Sequence, residues 1–316
     1  MEGLGPEAYG EAFADVYDEW YADVSDVEGT VAFVAERARL AGGRPVLELG
    51  VGTGRLALPL AAALAADGIA VRGLDASTAM VERLRAKPGA EAVDVVVADM
   101  ADVAAAVAHR WPVAPASAPG AERARGEPAR GEQARGEQAG AGRAGSDPGG
   151  TDRAMDAPAP TGALVPPGGA AHGVVFVAFN TLFNLTAVEA QRRCLAGVAE
   201  VLAPDGCLVV EAFVPAESPD RRDAVTVRSL TADRVVLSVS RADPDAQRLD
   251  GQFVDLVDGA PVRLRPWSLR YAPPAELDAL AATVGLALAE RWGGWRGEPF
   301  TDDSDLHVSV YRRAGA

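Results

Sequence analysis

The stretch Val46–Arg55, VLELGVGTGR, decides the fold of this 316-residue chain. Pro45–Leu49 reads as a short apolar strand and Gly54–Ala66 as a helix rich in alanine and leucine. Between them Glu48, Gly50, Gly52 and Gly54 spell E-x-G-x-G-x-G. Glycine is needed where a backbone turns with positive φ or approaches a ligand closely. A dinucleotide fingerprint, G-x-G-x-x-G, would require glycine at position 55, where Arg55 stands. Glu48 ends an apolar strand, where a carboxylate is costly to bury without a partner. A ligand with cationic or donor groups would supply one.

Outward from this loop, apolar runs alternate with helical patterns. Ala70–Leu74 is a second strand, followed by a helix from Ser77 to Lys87 that Pro88-Gly89 stops. Val93–Ala98 is a third strand, followed by a helix to about His109. Val174–Phe179 is a fourth, Ala187–Leu202 a helix ended by Pro204-Asp205-Gly206, and Cys207–Phe213 a fifth strand. Wholly apolar strands separated by helices mean a parallel sheet covered on both faces. The pattern then changes. Ala224–Arg228, Arg234–Arg241, Gln247–Val257 and Val262–Tyr271 alternate with turn residues and read as antiparallel ribbons inserted after the fifth strand. Pro274 opens a last helix, stopped at Gly285, and Leu286–Arg291 with Leu306–Arg312 closes the chain as two strands.

Carboxylates recur at matching strand ends. Asp75 ends the second strand, 21 residues after Gly54, and Asp99 ends the third. In open α/β sheets the ligand lies across the carboxyl ends of the strands. There Asp75 can accept both hydrogens of a ribose diol. Asp99 can accept from an adenine amine, with Met100 against the ring. Each has a plainer alternative: Asp75 could share the capping of the next helix with Ser77, and Asp99 could exchange roles with Asp102. Three acids without a phosphate clamp suit an adenosyl cation.

On these residues, Glu48–Gly54, Asp75 with Met80, and Asp99-Met100, the chain resembles the class I S-adenosylmethionine-dependent methyltransferases. The resemblance implies a Rossmann-like seven-stranded α/β sheet with its seventh strand antiparallel. It also implies S-adenosyl-L-methionine as cofactor, held by Tyr17, Glu48, Gly50, Gly52, Gly54, Asp75, Ala76, Met80, Asp99, Met100 and Phe179. FADVYDEWY, Phe13–Tyr21, is similar to the opening helix of amino-sugar N,N-dimethyltransferases. In that family N-terminal tyrosines close over the cofactor and reach the acceptor amine, roles that transfer to Tyr17 and Tyr21. Local sequence after the fourth strand, FNTLFNL (Phe179–Leu185), departs from the sugar enzymes, which leaves the acceptor open.

The expected organisation is one methyltransferase domain over 1–112 and 173–316. It carries an N-terminal lid helix over 7–40 and an antiparallel excursion over 223–271, serving as acceptor wall or as a homodimer surface. The intervening 113–172 is read as a disordered insertion. Those 60 residues hold 12 Gly, 8 Pro, no Phe, Tyr or Trp, and the tandem ARGEP-ARGEQ-ARGEQ at Ala124–Gln138.

Composition narrows the partners. Thirty basic against 45 acidic residues give a net charge of −15, against a polyanion partner. Asn180 is followed by Thr181 and Leu182, not by the two prolines of nucleic-acid amino-methylases. Cys194 and Cys207 lack metal-site spacing, so no metal is expected. The acidic opening MEGLGPEAYGE and the shortness of every apolar run lead to a soluble cytoplasmic chain with no membrane segment. Lys87 is the one lysine among the 30 basic residues.

Further candidates stand near the same sheet edge. Asn180 and Asn184 follow the fourth strand, and Trp292 and Trp295 flank Gly293-Gly294; all four are acceptor-site candidates. His307 starts the last strand and could reach the pocket as a general base, or be a satisfied interior histidine. His172 is read as exposed. The expected function is methyl transfer to a small-molecule amine or hydroxyl. The alternatives are a non-catalytic cofactor-binding scaffold and, against Arg55, an NAD-linked oxidoreductase.

Overall fold

The computed structural model describes residues 5–22, 24–112, 171–215 and 222–315. The expected insertion lies outside the described residues except for Ala171 and His172. Seven strands form one sheet in the order β10-β11-β5-β4-β1-β2-β3. They are β1 (Val46–Leu49), β2 (Val71–Asp75), β3 (Val93–Val97), β4 (His172–Val177), β5 (Leu202–Phe213), β10 (Leu286–Trp292) and β11 (Leu306–Arg313). β1 to β5 pair in parallel, and β11 runs antiparallel to both β5 and β10. This is the class I methyltransferase sheet.

Strand residues alternate between two buried layers. Leu47, Leu49, Val175, Val177, Leu208 and Val210 face one core, shared with α6 (Val103–Arg110), α7 (Val188–Val201) and α8 (Pro274–Thr283). Val46, Val174, Phe176 and Val209 face the other, against α3 (Val27–Leu40), α4 (Ala57–Leu64) and α5 (Thr78–Arg85). The alternation follows from the two-residue period of a strand buried on both faces.

The excursion after β5 is a separate antiparallel sheet, β6 (Arg222–Leu230), β7 (Arg234–Asp243), β8 (Arg248–Val257) and β9 (Arg263–Arg270), in sequential order. Its inner residues Val236 and Phe253 pack on Phe13, Ala14 and Val16. The N-terminal segment makes three helices where one was expected over 7–40: α1 (Ala8–Phe13), α2 (Tyr17–Trp20) and α3. Asp26 starts α3 afresh, its Oδ1 accepting from the Gly29 N–H at 2.9 Å.

The turn expected at Pro204-Asp205-Gly206 lies inside β5. His172 pairs with Leu202 but Val174 with Cys207, so the extra β5 residues bulge there. His172 is fully buried, contrary to its reading as exposed. As the first residue of β4 it packs edge-on to Trp111 at 6.2 Å, with Arg72 beside it. No described helix is long and apolar enough to cross a membrane.

Candidate active site

The loop after β1 turns back on β2. The N–H groups of Gly50 and Val51 both donate to the Leu74 carbonyl, at 2.8 and 2.9 Å. Gly50, Gly52 and Gly54 adopt φ of 71°, 53° and 81°, the left-handed region where only glycine is free of strain. Gly50 and Gly54 are also hemmed in: a Cβ would meet Thr181 Cγ2 at 2.3 Å and Leu84 Cγ at 2.9 Å. At Gly52 the same position is open, with no atom within 4 Å. Gly50 and Gly52 both line a cavity.

The cavity, about 610 Å³ of space partly open to solvent, lies over the carboxyl ends of β1, β2 and β3. Its floor is Gly50, Gly52, Leu74, Asp75 and Ala76, and its far wall Met80, Asp99 and Met100. Thr181, Asn184 and Leu185 enter from the segment after β4, and Pro6, Tyr9, Gly10 and Tyr17 from the N-terminus.

Asp75 organises the floor. Its Oδ2 accepts from the Gly52 N–H and its Oδ1 from the Ser77 N–H, both at 2.8 Å. Burial raises its carboxyl above the usual range, against those two bonds. Ser77 caps α5, Oγ accepting from the Met80 N–H at 3.2 Å. Asp99 Oδ1 caps the next turn through Ala101 N–H at 2.9 Å. Glu48 is buried, and its Oε2 has no hydrogen-bond partner. Burial pushes this carboxyl well above the carboxylate range; the guanidinium of Arg55 pulls the other way, and Asp75 adds to the rise.

The N-terminal helices cap the cavity. Tyr9 stacks on Phe13 at 4.5 Å and Tyr17 on Tyr21 at 4.7 Å, and the Tyr9 hydroxyl donates to that of Tyr21 at 3.1 Å. Tyr21 meets the Phe179 ring edge-on at 5.7 Å. Burial raises Tyr9 well above 10, and raises Tyr17 to about 12 against the pull of Arg55. Gly10 lets α1 press on Ser77, since a Cβ there would stand 2.3 Å from the serine Cβ. Glu11 Oε1 accepts from Ser77 Oγ and the Ala79 N–H, at 2.8 and 3.0 Å. On the opposite side Arg265, buried on β9, donates to Asp15 Oδ1 at 2.6 Å.

Of the expected cofactor residues, Tyr17, Gly50, Gly52, Asp75, Ala76, Met80, Asp99 and Met100 line this one cavity. Gly54 shapes the loop behind it. Glu48, Tyr21 and Phe179 are not among the lining residues; Tyr21 stacks on Tyr17, which is, and meets Phe179 edge-on. Phe179 and Asn180 both have positive φ, 53° and 63°, and β5 holds them there. Phe179 N–H donates to Glu211 Oε2 at 2.6 Å, and Asn180 Oδ1 accepts from the Phe213 N–H at 2.7 Å. Asn180 is thereby engaged in the backbone of β5, while Asn184 faces the cavity.

Three candidates lie elsewhere. His307 is fully buried beside β5, its Nδ1 2.8 Å from Ser309 Oγ and its ring edge-on to Phe300. Trp295 packs on Phe33 at 5.3 Å, and Trp292 Nε1 donates to Glu290 at 3.0 Å. None of the three is among the cavity-lining side chains. The structure adds Pro6, Tyr9, Gly10, Leu74, Thr181 and Leu185. Tyr9 had a signal: Tyr9, Phe13, Tyr17 and Tyr21 recur every four residues.

Two features fit an adenosyl cation. The buried Glu48 Oε2 lacks a partner, and Gly52, which lines the cavity, has no protein atom within 4 Å of where a Cβ would stand. Among the described residues no cluster of His, Cys, Asp and Glu suited to a metal occurs. A family model described as a methyltransferase domain matches residues 46–110. No curated protein sequence matches the chain. Among solved structures, the CcbJ methyltransferase of Streptomyces caelestis is 32% identical over 98% of this chain and 100% of that one, with a TM-score of 0.70. An S-adenosylmethionine-dependent methyltransferase of Clostridium acetobutylicum shares the fold at 8% identity (TM-score 0.63, 96% and 99% covered). So does the sugar N-methyltransferase KedS8 of Streptoalloteichus, at 18% (TM-score 0.56, 99% of each chain). The fold and site define an S-adenosylmethionine-dependent methyltransferase. The chain belongs to the class I family of these enzymes.

Proposed function

We propose that the protein methylates a small molecule at an amine or hydroxyl by in-line displacement. Glu48, Asp75 and Asp99 would hold the cofactor and the N-terminal tyrosines would meet the acceptor. The observation carrying this reading is that Asp75 and Asp99, at the ends of β2 and β3, line one cavity together with Tyr9 and Tyr17 of the N-terminal cap. S-adenosylmethionine, when bound, supplies a methyl on a positively charged sulfur, open to a lone pair without further activation. Asp75, fixed by two main-chain donors, accepts from a ribose diol, and Asp99 from an adenine amine beside Met100.

Tyr9 and Tyr17 titrate too high to act as bases near neutrality. They orient an acceptor through neutral hydroxyls. A closed pocket disfavours an ammonium over its amine, so the attacking nitrogen sheds its proton to solvent without a strong base. Alignment inside the pocket then provides about 7–11 kcal/mol of the barrier reduction.

The FADVYDEWY resemblance supports an amine as the first acceptor to test, and KedS8 makes an amino sugar the natural probe. A cytoplasmic, homodimeric enzyme belongs to the same proposal, checked by fractionation and sedimentation. The deciding experiment incubates the protein with methyl-deuterated cofactor and a panel of amines, amino sugars, phenols and sugars, followed by mass spectrometry. A deuterated methyl on an amine or hydroxyl is the expected product. Cofactor binding with no transfer, to the panel or to cell extract, would instead support a scaffold.

A further inference from the structure

Lys87 is the only lysine in the chain, and it stands just past α5. Its Nζ donates to Asp18 Oδ1 and to the Thr53 carbonyl, each at 2.8 Å. Thr53 Oγ1 donates to the same carboxylate at 2.5 Å. Asp18 follows Tyr17 on α2, and Thr53 follows Gly52 in the glycine loop. Tyr17 and Gly52 both line the cavity. The three-way contact therefore lies one residue outside the cavity on each side and joins the cap to the loop.

The chemistry of the contact suits lysine. One compact ammonium satisfies a carboxylate and a carbonyl on different segments, which the planar fork of arginine does not match. Thr53 is fully buried, whereas the Lys87 and Asp18 side chains are 29% and 44% exposed. The contact is thus reachable by solvent and weak enough to open, as a cap over a turnover site must for product to leave.

We propose that Lys87 is a positioning residue that latches the N-terminal cap to the glycine loop and so sets how long the cofactor is retained. It touches neither cofactor nor acceptor. This rests on the cofactor assignment above.

S-adenosylhomocysteine is the probe. Acetylation with an amine-reactive reagent, read by peptide mass spectrometry, reports Lys87 alone among side chains. Saturating S-adenosylhomocysteine is expected to protect Lys87 severalfold in the native protein and not in denaturant. In stopped-flow dissociation, Lys87→Met and Lys87→Arg are each expected to release the probe about tenfold faster. Asp18→Asn should match them, and Lys87→Met combined with Asp18→Asn should be no faster than either alone. Equal labelling with and without probe, or wild-type dissociation from folded variants, overturns the latch. Calorimetry on the wild type separates the two levels: no binding overturns the cofactor assignment with it, whereas binding without protection overturns the latch alone.

Discussion

Asp75 accepts from the glycine loop with one oxygen and from the start of α5 with the other. Its removal strips the floor of both a ligand acceptor and an internal tie. Asp75→Ala is expected to weaken cofactor binding by about 3 kcal/mol, roughly hundredfold, since each charge-assisted bond contributes about 1.5–3 kcal/mol. Titration calorimetry checks it, and wild-type affinity would overturn the ribose assignment. Gly52 separates ligand contact from folding. A Cβ there meets no protein atom, so Gly52→Ala should cost only the left-handed penalty of about 1–2 kcal/mol and still fold. Gly52 lines the cavity, so a methyl there is expected to lower cofactor binding sharply. Gly50→Ala should melt earlier than Gly52→Ala, because its Cβ runs into Thr181. The same melting temperature for both would contradict that ordering.

At the scale of elements, the cap is held from two sides. Glu11 ties α1 to α5, and hydrogen bonds from Ala79 and Ser77 hold its carboxyl below the usual range. Arg265, 2% exposed, joins Asp15 of the cap to Asp255 of β8, itself 3% exposed. Asp255 is also held by Arg234 through both carboxylate oxygens at 2.8 Å, and Asp15 by Arg263, so losing Arg265 removes the tie between cap and sheet and leaves each acid a partner. Arg265→Met should destabilise the protein by about 1.5–3 kcal/mol and loosen the cap. Denaturant unfolding with parallel cofactor titration tests this. An unchanged midpoint would mean that Arg234 alone satisfies Asp255.

For the whole molecule, two buried imidazoles set an acid limit. Burial pushes His172 down to about 4, helped by Arg72, and His307 to about 4, helped by Arg291. Unfolded, both titrate near 6.5. Above that pH both are neutral in either state, and their contribution to stability is fully present. As pH falls from 6.5 toward 4 the unfolded chain gains protons the folded one refuses, and stability is lost, up to about 3 kcal/mol per imidazole. Glu48, Asp75 and Glu211, all raised, act oppositely on acidification. His307→Gln isolates the histidine part. Between pH 6.5 and 5 the pH slope of its unfolding free energy should be smaller by roughly one proton than that of the wild type. An equal slope would show that His307 titrates normally in the fold.

The strand-helix alternation, the glycine loop and the acids at strand ends were legible in the chain alone, because each is a local pattern. An apolar run, a fixed spacing after Gly54 and a glycine that must turn are all written within a few residues. The antiparallel ribbons were legible for the same reason. The contacts of His172, His307, Trp292 and Trp295, the break of the N-terminal segment into three helices, and the placement of Tyr9 over the pocket depended on segments far apart in sequence. So did the meeting of Lys87 with Asp18 and of Arg265 with Asp15. Local pattern determined which elements form and where a ligand could lie; only the tertiary structure decided which side chains close over it, because burial and pairing between distant segments exist only once the chain has packed.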